Sequence, residues 1–132
     1  MTHASLKKYQ QANKNMAKEA TPYQLVAMLL QKLLDNIATA KGAITQNNYE
    51  KKGTELSNAL AIVGVLQGSI DFEQGGDVSQ NLNALYKYCA EKIVEASSTN
   101  NIELLNEVSQ ILLPIKSGWD DIPQENQEQV SF

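Results

Sequence analysis

The chain holds one histidine, His3, and one cysteine, Cys89. A di-iron helical bundle needs Glu-x-x-His pairs on facing helices, and a histidine phosphotransfer bundle needs a histidine on a helix face. His3 sits in a polar terminal stretch and serves neither. Cys89 falls in an apolar stripe, where a thiol is a small buried hydrophobe; a reactive one needs exposure and positive neighbours. Asp71, Glu73 and Asp77 gather around Gly75-Gly76 and suggest a cation loop. They lack the alternating oxygen ligands and closing Glu of an EF-hand, so capping and solvation account for them. No nucleophile, base and metal ligands come together. Neither an enzyme nor a cofactor or metal is expected.

Charge removes another class. All 11 basic residues are lysine, scattered at positions such as Lys7, Lys18, Lys32, Lys41, Lys51, Lys87 and Lys116, and the net charge is -4. Arginine is the usual reader of phosphate forks and guanine edges. Its absence and the scatter argue against nucleic acid. No apolar run approaches the ~18 residues of a membrane span, so no membrane insertion is expected. Met1 to Gln11 is polar, unlike a signal peptide. With one thiol and no disulfide framework, the cytoplasm is the expected location.

What remains is apolar surplus. Leu25 to Leu30 and Ala59 to Leu66 are unbroken apolar runs, as is Ile111 to Ile115 apart from its proline. Val78, Leu82, Leu85 and Tyr86 crowd a fourth segment. One helix face cannot hold so many, and a turn that is apolar all round must be covered on a second side. A core covers one side. The chain's own terminus or a partner must cover the other.

The elements that place these runs are legible. Thr21 is an N-cap and Pro22 fits the first helical position. From there Val26, Leu30, Leu33, Ile37, Ala40 and Ile44 step at the spacing of a bundle seam. Asn48 caps a second long helix with the stripe Leu56, Ala59, Leu60, Val63, Leu66 and Ile70. Gly64 and Gly68 interrupt it, and close helix approach would compensate their cost of roughly 1 kcal/mol each. Asp71 to Gly76 reads as a loop, with Gly75 and Gly76 supplying positive φ. Asp77 and Gln80 then start a third helix with the stripe Val78, Leu82, Leu85, Cys89, Ile93 and Ala96. Ser97 to Asn101 is the next turn, with Asn100 and Glu103 as cap pair. The fourth helix follows Leu105, Val108, Leu112, Ile115 and Trp119, and Pro114 should kink it or end its regular part early.

Short loops between long helices force antiparallel neighbours. The expected fold is all-α: an antiparallel up-down four-helix bundle over 21–119, with a short N-terminal helical segment capping one end. Residues 1–20 form that mobile cap, and 120–132 an acidic tail without structure. The topology gathers all four apolar runs at one end. Leu25, Met28, Leu29, Ile62 and Leu66 are the candidate groove residues. Leu6 and Tyr9 share one face of the N-terminal segment, and Tyr9 has no core to serve unless that segment docks. Trp119 and Tyr88 read as packing residues.

These segments resemble a known family. TPYQLVAMLLQKLLDNIATAKGAI is similar to the first long helix of the flagellar secretion chaperones, the FliS family. Asp71-Phe72-Glu73-Gln74-Gly75-Gly76-Asp77 resembles the family's Phe/Leu-Glu-Gln-Gly-Gly-Glu loop, and Asn81-Leu82-x-Ala84-Leu85-Tyr86-x-Tyr88 its following helix. Glu95-Ala96, Leu105-Asn106-Glu107-Val108 and Lys116-x-Gly118-Trp119 are similar to the last hairpin, and Leu6-x-x-Tyr9 to an element ahead of the first helix. The likeness spans roughly residues 5 to 120; Pro114 departs from it.

The resemblance implies a cytosolic chaperone that binds the C-terminal segment of flagellin, unfolded in the monomer. It would prevent premature polymerisation and assist type III export. It further implies that Leu6 and Tyr9, once released, contact a component of the export gate. The free protein is expected as a monomer or weak homodimer. The alternative is a self-associating helical adaptor, whose apolar end pairs with itself instead of an unfolded client.

Overall fold

The structure is a computed structural model describing residues 4–12 and 20–129; His3 and Met16 lie outside it. Five α-helices follow one another: α1 (Ala4–Ala12), α2 (Pro22–Thr45), α3 (Tyr49–Gly68), α4 (Phe72–Thr99) and α5 (Ile102–Asp120). A 3-10 segment, Gln124–Gln129, comes last. The described residues form no strand. The four long helices close a ring, α2 on α3, α3 on α4, α4 on α5 and α5 on α2. α1 lies outside the ring against α2 and α3.

α2 starts where its sequence says it should. The Thr21 hydroxyl accepts from the Gln24 N–H at 3.1 Å, and the Gln24 side chain accepts from the Thr21 N–H at 3.0 Å. This reciprocal box satisfies two donors that the helix start would otherwise orphan. The whole expected seam, Val26, Leu30, Leu33, Ile37, Ala40 and Ile44, is buried. Asn36 is buried too, with its Nδ2 unpaired among the described residues. Asn48 caps α3 by accepting from the Lys51 N–H at 3.2 Å.

α4 departs from expectation. Within the segment expected as a loop, Phe72 to Gly75 form a helical turn that ends at Gly76. Asp71 Oδ1 accepts from the Glu73 N–H at 3.1 Å, and the Asp71 carbonyl accepts from the Gly75 N–H at 2.9 Å. Asp71 therefore caps the opening turn of α4, and the helix resumes at Asp77 after the break at Gly76. Of the two glycines only Gly76 has positive φ, at φ 53 and ψ -127, and it breaks the helix. Beyond the break the inward face is Ser79, Leu82, Tyr86, Cys89, Ile93 and Ala96, while Val78 and Leu85 are 55% and 40% exposed. Ser79 is tolerated inside because its hydroxyl donates to the Asp71 carbonyl at 2.9 Å.

The last turn is also one residue out of register. α4 runs to Thr99, Asn100 takes the left-handed conformation (φ 56), and Asn101 caps α5 by accepting from the Glu103 N–H at 3.0 Å. Pro114 does not end α5, which continues to Asp120. The carbonyl it would have served is that of Gln110, an exposed residue. The tail, expected to be without structure from residue 120, carries the 3-10 segment, which packs on α2.

One end of the ring is closed by a buried lysine. Lys52 Nζ donates to the Ser97 carbonyl at 2.8 Å and to Asn100 Oδ1 at 2.6 Å. It thereby satisfies the Ser97 carbonyl in the last turn of α4, where a cation also complements the helix dipole.

Candidate binding site where four helix ends meet

The opposite end is not filled. A cavity of about 320 Å³ opens there, a volume at the lower end of the range for ligand sites. Pro22 and Val26 from the start of α2 line it, with Leu66 from the end of α3 and Ser69 and Ile70 just after. Val78, Leu82 and Tyr86 come from the first turns of α4, and Pro114, Ile115, Gly118 and Trp119 from the last turns of α5. Leu6 of α1 and Ile122 of the tail complete the wall.

Among the described residues, no ionisable carboxylate, amine or imidazole lines this cavity. Two described lining residues carry a side-chain hydroxyl: Ser69, which donates to the Leu66 carbonyl at 2.8 Å, and Tyr86. Burial pushes the Tyr86 phenol far above its ordinary range. Cys89, one turn further along α4, is fully buried and its thiol is pushed up to about 11, mainly by burial. A thiol so raised stays protonated and unreactive near neutral pH. Among the described residues no group of acidic, histidine and cysteine side chains is placed to hold a metal. No helix among them is long and apolar enough to cross a membrane. What such a wall offers a ligand is burial of apolar surface.

Leu6, Ser5 and Tyr9 seat α1 against the bundle. Leu6 enters the cavity wall and is only 3% exposed. The Ser5 hydroxyl donates to the Val65 carbonyl at 3.2 Å, and a Cβ at Gly68 would stand 2.9 Å from that hydroxyl. Gly68 is therefore the close approach its position suggested, made with α1; around Gly64 there is open space. Lys32 Nζ donates to the half-buried Tyr9 hydroxyl at 3.4 Å and lies 5.9 Å from its ring centroid.

The expected groove residues divide. Leu6 and Leu66 line the cavity. Leu25, Leu29 and Ile62 are packed in the core, so a partner meets them only if the helices part. Met28 is 41% exposed and Tyr9 meets Lys32, and neither lines the cavity. Thr21 and Pro22 start α2, and Pro22 reaches the cavity wall as well. Sequence reasoning did not single out Val26, Ile70 and Ile122 for this site. Ile122 carried a signal, an apolar residue beside Trp119 in an otherwise polar tail.

The chain matches the family model of flagellar protein FliS over residues 5–126. It is 39% identical to flagellar secretion chaperone FliSB of Pseudomonas aeruginosa over 119 residues, 89% of this chain and 94% of that one. It is 36% identical to flagellar secretion chaperone FliS of Vibrio cholerae over 106 residues, 80% and 78% of the two chains. With FliS of Salmonella typhimurium the identity is 30% over 123 residues, covering 92% and 91%. The likeness covers every helix that builds the apolar cavity. The chain belongs to the FliS family of flagellar secretion chaperones.

Proposed function

We propose that the cavity end holds the C-terminal segment of flagellin, unfolded in the monomer, as an amphipathic helix. Held there, the segment is withheld from premature polymerisation and delivered to the type III export gate from the cytoplasm. The observation that carries this reading is the seat of Leu6: an apolar side chain from a short helix already occupies the wall that a client helix would fill. Helix-in-groove recognition works by such exchange of apolar anchors. α1 is then a movable cover, and the free protein is a monomer or weak homodimer. Once released, Leu6 and Tyr9 are offered to a component of the export gate, as family resemblance suggests. The four long helices alternate in direction as an up-down bundle. Connections no longer than Gln46–Asn48 and Ser69–Asp71 support this, as does the meeting of two helix starts with two helix ends.

Calorimetry of the full-length protein with a flagellin C-terminal peptide tests the reading. One-to-one uptake with a strongly negative heat-capacity change is expected for coupled folding and burial. Val78→Asp, at an exposed cavity residue, should weaken uptake roughly tenfold or more, about 1.4 kcal/mol. Val94→Asp, at a residue 54% exposed and outside the cavity, should not. Equal losses from both variants, or no uptake at all, would contradict the assignment.

A further inference from the structure

The seat of α1 has a shape as well as an apolar wall. At Gly68 the place of a Cβ is already taken: it would stand 2.9 Å from the Ser5 hydroxyl and 3.0 Å from the Ser5 Cβ. The same hydroxyl donates to the Val65 carbonyl at 3.2 Å, in the last turn of α3. That carbonyl also accepts the Ser69 N–H at 3.1 Å, and its two lone pairs serve both. The next residue, Leu6, is 3% exposed and lines the cavity together with Leu66.

Neighbouring residues on a helix point about 100° apart, so this pair meets two adjoining surfaces. Ser5 fits a notch that only a glycine leaves, and its hydroxyl finds an acceptor there. Leu6 fits the apolar wall. A longer or branched side chain in place of Ser5 would push the helix off Gly68, and alanine would fit but lose the donor. In place of Leu6 a charged residue would be buried without a partner. The seat therefore distinguishes two consecutive side chains by different physics, a tight contour with an acceptor for the first and apolar burial for the second.

We propose that this seat selects helical segments in which serine directly precedes an aliphatic anchor, and that the client segment docks here through such a pair. The selectivity rests on the reading of the cavity as the client site. It adds which part of that site discriminates, the Gly68 notch beside Leu66, and how α1 competes: it carries the same pair. Segments lacking either member are turned away by a clash, a lost hydrogen bond or an unpaired buried charge.

Three labelled helical peptides, identical except for a Ser-Leu, Val-Leu or Ser-Asp pair, test this by fluorescence anisotropy. They are titrated into the full-length variant Leu6→Asp, whose own cover no longer seats. The Ser-Leu peptide should bind about fivefold or more tighter than the Val-Leu peptide, the worth of roughly one net hydrogen bond, and the Ser-Asp peptide weakest of all. Wild-type protein should give the same order at lower affinity, so the comparison survives any effect of Leu6→Asp on folding. Adding Gly68→Ala should bring the Ser-Leu peptide down to the level of Val-Leu. An unlabelled flagellin C-terminal peptide should displace the Ser-Leu peptide. Equal affinities for Ser-Leu and Val-Leu, an undiminished Ser-Leu affinity after Gly68→Ala, or no displacement would overturn the selectivity. The cavity reading would then stand or fall separately, on flagellin peptide uptake and its loss in Val78→Asp.

Discussion

Tyr23 and Trp119 hold each other by their backbones. The Trp119 indole N–H donates to the Tyr23 carbonyl at 3.0 Å, the Tyr23 hydroxyl donates to the Trp119 carbonyl at 3.1 Å, and the rings stack at 5.5 Å. The pair ties the start of α2 to the end of α5 and so sets the width of the cavity on that side. Trp119→Phe keeps a ring but loses one donor, and Tyr23→Phe loses the other. Each should lower stability by about 1 kcal/mol, read as a shift in urea midpoint at unchanged slope. If the two losses simply add in the double variant, the two bonds are independent of one another.

Gly76 and Gly75 should respond differently to alanine. At φ 53 and ψ -127 Gly76 occupies a region closed to residues with a Cβ. Gly76→Ala should cost roughly 1 kcal/mol or more, whereas Gly75→Ala carries no such backbone penalty. Thermal melts of the two variants check this. Equal melting temperatures would show that the break in α4 relaxes without strain.

The glycine pair also shows why part of the molecule was hidden in its sequence. In α2 the spacing from Val26 to Ile44 announces the buried face directly, because no break disturbs its phase. In α4 only one glycine breaks the helix, and the inward face falls on Ser79 and Tyr86 in place of Val78 and Leu85. A serine in a core is unreadable until the Asp71 carbonyl that accepts its hydrogen bond is seen. The site was legible as a place, since four apolar runs had to meet at one end. Its residues were legible only in part, Leu6 and Leu66 among them. An apolar run says that a turn is covered all round without saying which side faces the core, so Leu25, Leu29 and Ile62 were natural candidates that pack inward. Ile122 was hidden by the acidic tail around it.

Alkaline pH should weaken the fold in two stages. Cys89 is raised from an ordinary value of 9.0 to about 11, mainly by burial, and Tyr86 is raised further still. The folded state therefore keeps protons that the unfolded chain releases, so stability is full below about pH 8.5 and falls as pH rises beyond it. Cys89 contributes a loss of roughly 2 kcal/mol by pH 11, and Tyr86 adds to the slope above pH 10. Cys89→Ala should remove the first stage, which chemical denaturation across pH 7 to 11 would reveal. A stability independent of pH in that window would mean both groups titrate freely when folded.

Removing residues 1–18 should leave the ring folded while uncovering Leu66 and Ile70. Greater self-association on size-exclusion chromatography is then expected, because an exposed apolar patch seeks cover. Flagellin peptide affinity should hold or increase, since a cover that occupies the site lowers apparent affinity by the fraction of time it is closed. A folded, monomeric truncation that no longer binds the peptide would make α1 part of the grip.

Hydrogen exchange of the full-length protein, with and without a flagellin C-terminal peptide, follows the cavity and its cover at once. Peptide should slow exchange in Val78 to Tyr86 and in Ile115 to Ile122, and speed it in Ala4 to Ala12 as α1 is released. The far end around Lys52 and Asn100 should stay unchanged. Slower exchange confined to that far end, or none anywhere at saturating peptide, would contradict the placement of the client in the cavity.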